Sequence, residues 1–158
     1  MLVRDFRQVD AREVLALAPR LTVGTAVWRD PAAVASAVRT WVQGSIEAAV
    51  SGTARLLVAE DTNGAVAGFV TWSTQRHWSG EIDANIGELV VARSYESKGV
   101  GRSLVEAVIE EARAAGHARI SLSTGLGNSR ALTFYDSLGF QGEDITLTRD
   151  LETKPDSP

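Results

Sequence analysis

The stretch Glu88-Leu89-Val90-Val91-Ala92-Arg93-Ser94-Tyr95-Glu96-Ser97-Lys98-Gly99-Val100-Gly101-Arg102-Ser103-Leu104 decides how the rest of the chain is read. It starts as an apolar β run and crosses a polar loop. From Gly101 it becomes a helical stripe of Leu104, Val105, Val108, Ile109 and Ala112, with Glu106, Glu110, Glu111 and Arg113 elsewhere. Gly99 and Gly101, at the point where the helix begins, let the backbone turn tightly and gather free N–H groups. The helix dipole adds positive potential there, so the point suits a phosphate or diphosphate. A plain turn and cap would use the same glycines. A Walker loop is excluded, because its Gly-Lys-Ser/Thr ending is missing. A dinucleotide fingerprint fits poorly, because Leu104 stands where the third glycine belongs.

Outward from this segment the elements alternate between sheet and helix. Residues 2–9 carry a period-2 pattern and predict a first strand, and 11–17 predict a short helix. Asp30-Pro31 is an N-cap followed by an N1 proline, and Val34, Val38, Trp41 and Val42 continue at helical spacing until Gly52. Residues 55–60 and 65–75 are β-rich runs joined by Asp61-Thr62-Asn63-Gly64, a hairpin signal, and 81–91 follow as another strand after Ser79-Gly80. Beyond the helix that ends at Gly116, residues 120–123 predict a strand, 129–138 a helix with Gly139 as its cap, and 145–151 a closing strand. The tail 152–158, polar with two prolines, is expected to be flexible.

The 158 residues make one domain, over 1–151, with no internal repeat. No apolar run is long enough to span a membrane and no leader pattern precedes the fold, so the chain is expected to be soluble and cytoplasmic, without a membrane partner. A net charge of −4 without a Lys/Arg stripe argues against nucleic acid. With no cysteine, disulfides, thiolate metal sites and a cysteinyl intermediate are removed together. The two histidines, His77 and His117, have no ligand spacing, so no metal site is expected.

Residues 88–104 resemble motif A of the GCN5-related N-acetyltransferase (GNAT) family, whose Arg/Gln-x-x-Gly-x-Gly/Ala signature follows a strand ending in Leu-x-Val, here Leu89-Val90-Val91. Asn128-Ser129-Arg130-Ala131-Leu132-Thr133-Phe134-Tyr135-Asp136-Ser137-Leu138-Gly139-Phe140 resembles the family's motif B, in the expected order. Without Asn128 and Gly139-Phe140 the second stretch would read as the core face of a helix.

The resemblance implies an α/β (α+β) single-domain fold with a mixed central sheet of about six to seven strands and about four flanking helices. It also implies acetyl-CoA as cosubstrate, held by Leu89, Val90, Val91, Glu96, Ser97, Lys98, Gly99, Val100, Gly101, Arg102, Ser103, Asn128, Ala131 and Tyr135. Glu96 departs from the pattern, since Arg or Gln is usual there. A carboxylate beside a diphosphate repels it unless the side chain points away, which would leave Lys98 or Arg102 to help.

An amine of pKa near ~10 must lose a proton before it can attack a thioester. By resemblance Glu88 is the base, with Asp83 in reserve. A solvated strand carboxylate is the plain alternative for Glu88. Tyr135 resembles the acid that protonates the leaving thiolate, and backbone N–H groups around Leu89 to Val91 would meet the oxyanion. With no cysteine, direct transfer in a ternary complex is favoured.

Trp28, Arg76 and Trp78 are candidate walls of the acceptor pocket, while Trp72 reads as core and His77 as an exposed loop residue. The acceptor is expected to be a primary amine of a small molecule. A protein lysine or N-terminal amine, or a sensor that binds acyl-CoA without turnover, are the alternatives. A homodimer is left open.

Overall fold

The structure is a computed structural model, and it describes residues 1–151. The expected tail at 152–158 lies outside the described residues. Helix α2, Pro31–Ser51, begins where its sequence signal places it. The Asp30 carboxylate accepts a hydrogen bond from the Ala33 N–H at 2.8 Å, Pro31 takes the first turn, and Gly52 stops the helix with a φ of 77°. The hairpin between β2 (Arg55–Glu60) and β3 (Val66–Arg76) is likewise locally encoded. The Asp61 carboxylate accepts from the N–H groups of Asn63 and Ala65 at 2.8 and 2.9 Å.

One five-stranded sheet runs in the order β1-β2-β3-β4-β5, with β1 at Leu2–Asp5, β4 at Ile82–Val91 and β5 at Ile120–Leu122. The first four strands are antiparallel, and β5 lies parallel to β4. Both faces of the sheet are covered, so β2 is apolar at consecutive positions. Leu57 and Ala59 meet Leu104, Val105 and Val108 of α3 (Val100–Ala114) on one face. Leu56 and Val58 meet Val14 of α1 (Ala11–Ala16) together with Val42 and Ile46 of α2 on the other. A last helix, α4 (Ser129–Asp136), rests its aromatic residues against the α3 side.

Sequence and structure part company at the C-terminus. The predicted strand over 145–151 does not form, so the sheet has five strands rather than six or seven. Ile145 and Leu147 are 71 % and 88 % exposed. Their alternation supplies an apolar face, but a strand exists only as part of a ladder. The first strand is also shorter than predicted, ending at Asp5 before a 3₁₀ turn at Gln8–Asp10. A second 3₁₀ turn, Ala18–Thr22, carries the chain toward α2. Among the described residues no helix is long and apolar enough to cross a membrane.

Candidate active site

β4 is the strand on which the site is built. It pairs with β5 only from Ala84↔Ile120 to Ile86↔Leu122, yet continues to Val91. Past Ile86 the two strands part, and one edge of β4 over residues 87–91 has no strand beside it. On its other edge, the register with β3 passes from Trp72↔Ile86 to Val70↔Leu89, so Gly87 and Glu88 together oppose Thr71. This is a β-bulge, which re-aims the side chain it contains.

The bulge turns Glu88 toward two hydroxyls. Ser45 of α2 donates to both carboxylate oxygens, at 3.0 and 2.9 Å. The Thr71 hydroxyl donates to Oε2, and Thr71 Oγ1 in turn accepts from the Glu88 N–H at 2.9 Å. Thr71 is buried, so its hydroxyl is a fixed post rather than a mobile contact. The spot is crowded, because a Cβ at Gly87 would stand 2.8 Å from Thr71 Oγ1. Glu88 is half-buried, its carboxylate held by two hydroxyls where the strands part.

At the far end of β4, the loop into α3 gathers amides. Ser97 has a φ of 59° and Gly99 a φ of 80°, two left-handed residues separated only by Lys98. The first helical carbonyl bond belongs to Ser103, whose N–H donates to Gly99 O at 3.0 Å, so the amides of Val100, Gly101 and Arg102 precede it. Alternation of this kind makes an anion-binding concavity. The two glycines do different jobs. Gly99 supplies the left-handed turn. Gly101 has helical geometry and lies where α4 meets the start of α3: a Cβ there would stand in ordinary van der Waals contact with Phe134 Cζ and Val91 Cγ2, at 3.4 and 3.6 Å.

α4 is capped as motif B suggests. The Asn128 side chain accepts from the Ala131 N–H at 3.1 Å. At the other end Gly139, with φ 85°, lets the Phe140 N–H reach Tyr135 O at 3.1 Å and turns the Phe140 ring to 5.5 Å from that of Tyr135. Phe134 lies on the other flank at 5.1 Å. Burial among these rings pushes the Tyr135 phenol up to about 12, because the phenolate would lose its solvation. Its hydroxyl has no hydrogen-bond partner among the described residues, so it is free to donate to a ligand. An open hollow of about 480 Å³ runs along this helix, lined by Ser129, Arg130, Thr133, Phe134 and Ser137.

Glu96 does not stand alone beside the amide-rich loop. One oxygen is taken by Arg20 and the other by Arg130 Nη1, at 2.6 Å in the second case. These bonds hold its carboxyl below the usual carboxylate range, Arg130 contributing most. Arg130 also reaches Ser97 Oγ at 3.4 Å. Lys98 lies over the Tyr95 ring, and Arg102 contacts Ser137 Oγ at 3.3 Å.

Of the residues read from sequence as acceptor walls, Arg76 and Trp78 share one turn, and Trp28 lies on a different loop. Arg76 pairs with Ile82 at the opposite end of β4 from Val91, about 20 Å along the strand from Glu88 at ~3.3 Å per residue. Its guanidinium donates to Gly80 O at 3.0 Å within the same turn, where Trp78 is 83 % exposed and His77 stacks at 5.0 Å. Trp28 is exposed on the loop before α2. That loop crosses to motif B, and Gly24 is so tight on Asn128 and Gly125 that no side chain fits there. Asp83 is buried near the Arg76 end, within the field of Arg119. Trp72 is core, as expected, with its indole N–H donating to Glu111 at 2.8 Å.

Ser45, Thr71 and Arg20 carry no motif and were not legible as site residues, since each belongs to a different element. Gly87 offered a signal, because an isolated glycine within a strand marks a bulge or a close approach.

The acetyltransferase (GNAT) family model matches residues 22–140, and the chain belongs to this family, whose members use acetyl-CoA as cosubstrate. The chain is 30 % identical over 89 residues to an uncharacterized N-acetyltransferase of Methanocaldococcus jannaschii, a match that covers 54 % of this chain and 38 % of that protein. Among solved structures, an acetyltransferase from Trypanosoma brucei superposes with a TM-score of 0.66 at 21 % identity, covering 95 % of this chain and 99 % of the other. Aminoglycoside 6′-N-acetyltransferase from Acinetobacter haemolyticus does so with 0.72 at 14 % identity, over 98 % and 100 %. Glucosamine-6-phosphate N-acetyltransferase from Arabidopsis thaliana gives 0.65 at 17 %, over 96 % and 98 %. At these identities the likeness is one of fold.

Proposed function

We propose that this protein transfers the acetyl group of acetyl-CoA directly to a primary amine of a small molecule. The observation that carries the reading is the opened edge of β4. At one end a carboxylate, Glu88, is held in place by Ser45 and Thr71; at the other, the left-handed Ser97–Gly99 turn faces amides outward at the start of α3.

The residues fit the cosubstrate. The amides of 100–102 and the dipole of a 15-residue helix suit a diphosphate. Val91, Phe134 and the hollow along α4 offer an apolar wall for a pantetheine arm. When bound, acetyl-CoA supplies a thioester carbon open to nucleophilic attack. Glu88 would take the proton that an ammonium must lose, directly or through one water. Backbone N–H groups on the open edge of β4 would meet the charge that develops on the carbonyl oxygen. Tyr135, with its phenol still protonated up to about pH 12, is a donor at neutral pH for the departing thiolate. The small-molecule class is supported by two fold neighbours that are named as acting on an aminoglycoside and on glucosamine 6-phosphate.

The test is thiol release from acetyl-CoA over panels of small amines and of peptides. Release with small amines supports the reading. Release with peptides alone moves the acceptor to a protein amine. Tight binding of coenzyme A with no transfer on either panel makes the protein a sensor.

A further inference from the structure

The position that breaks the motif A pattern has been built into an ionic bracket. Glu96 lies in the loop before α3, Arg20 in the 3₁₀ turn before α2, and Arg130 in the first turn of α4. The three elements are joined by no strand pairing, yet each oxygen of the Glu96 carboxylate takes one arginine. Arg130 holds the carboxylate through Nη1 while its Nη2 reaches Ser97, the left-handed residue beside the free amides. The guanidinium is therefore at the rim of the anion concavity, and it also lines the hollow along α4.

The charge balance points to an anion. In a chain of net charge −4, the pre-α3 loop and its neighbours collect Arg20, Arg93, Lys98, Arg102 and Arg130, and the carboxylate shared by two of them is Glu96. Two guanidiniums on one carboxylate leave donors over, since each has five N–H groups in a planar fork suited to phosphate. Arg20 and Glu96 are only about one-quarter exposed, so that arm of the bracket is partly shielded from solvent, while Arg130 is 67 % exposed and open to a ligand. The Arg20–Glu96 arm is screened less than an ordinary surface pair.

We infer that Arg20 and Arg130 are the phosphate-binding side chains of this site and that Glu96 is the residue that positions them. The inference rests on the acyl-CoA reading above. It assigns the phosphate charge to cations from outside motif A, and so gives a physical reason for tolerating an acidic residue where the family pattern has Arg or Gln.

Calorimetric titration of the purified protein with coenzyme A, at two salt concentrations, tests it. Arg20→Gln and Arg130→Gln are each expected to weaken binding about tenfold or more and to reduce its salt dependence, because one phosphate-neutralising charge is gone. Glu96→Gln, which keeps the shape but releases one arginine, is expected to weaken binding about three- to tenfold. Circular dichroism melts confirm that each variant is folded, and Arg130→Lys serves as a second variant that keeps the charge. Coenzyme A binding by the unaltered protein, with all three Gln variants within twofold of it, would overturn the bracket and leave the acyl-CoA reading standing. Tighter binding by Glu96→Gln would overturn the positioning role of Glu96. Failure of the unaltered protein to bind coenzyme A would remove the acyl-CoA reading itself.

Discussion

The Thr71 hydroxyl is the most informative atom to remove, because it makes two bonds of different consequence. It donates to the Glu88 carboxylate and accepts from the Glu88 N–H at 2.9 Å. Thr71→Val keeps the volume of a buried side chain and deletes both. A hydrogen bond to a charged group contributes about 1.5–3 kcal/mol. Ser45 still holds both oxygens in the variant, so the loss of carboxylate placement lies near the lower end, which converts to about ten- to thirtyfold in kcat. The stranded backbone N–H destabilises by about 1 kcal/mol, since the bulge is partly wet, and for a domain of this size that is a Tm fall of about 2–4 °C. Thr71→Ser restores the hydroxyl and should restore both quantities to within a few-fold. Ser45→Ala removes bonds to the carboxylate alone, so it should slow turnover without the Tm fall. Thiol-release kinetics with saturating acetyl-CoA, beside thermal melts, measures the set. A Thr71→Val enzyme with unaltered kcat, or Thr71→Ser as slow as Thr71→Val, would refute the assignment of Glu88 as a base held by its hydroxyl neighbours.

Gly87→Ala should reproduce the Thr71→Val phenotype from the other side, because its Cβ would press on Thr71 Oγ1 at 2.8 Å. In a double-mutant cycle the two changes should be strongly non-additive in kcat, whereas independent losses would separate them. Tyr135→Phe is expected to lower kcat about ten- to a thousandfold with coenzyme A affinity little changed. Burial pushes the folded-state phenol up to about 12 from its usual value near ~10, so this residue's contribution to stability is intact below pH ~10 and lost as pH rises toward ~12. Alkaline melts of Tyr135→Phe should therefore show a shallower decline than the unaltered protein. At the other extreme, the buried Asp10 carboxyl is held below its usual range, first by its hydrogen bond from Arg4, with contacts at 2.8 and 3.0 Å. That contribution is present above pH ~4 and disappears as pH falls through the lower folded-state value. Asp10→Asn should lose about 2–4 kcal/mol at neutral pH, Arg4 keeping only Glu60, and should flatten the acid limb of stability measured by urea unfolding.

What could be read in the linear sequence was whatever neighbouring residues encode. The Asp30-Pro31 start of α2, the Asp61–Gly64 hairpin, the glycine-marked start of α3 and the Gly139 stop after α4 all depend on atoms within a few residues of one another. Each appears in the structure at or near the position predicted, and the order of the two motifs sufficed for the family. The predicted strand at 145–151 failed for the complementary reason. Its alternation is local, but a strand needs a partner edge, and β5 stops after three residues.

The bulge that turns Glu88 toward Ser45 and Thr71 belongs only to the tertiary structure, since its register depends on β3 and β4 together and its hydroxyls come from elements 43 and 17 positions away. The same holds for Glu96. From sequence it was a carboxylate repelling a diphosphate, and in the folded chain two arginines from distant elements share it. Caps and turns are short-range contacts that a sequence writes directly. The charge a ligand meets is a sum over groups that only folding brings within a few ångströms, where Coulomb energies become large.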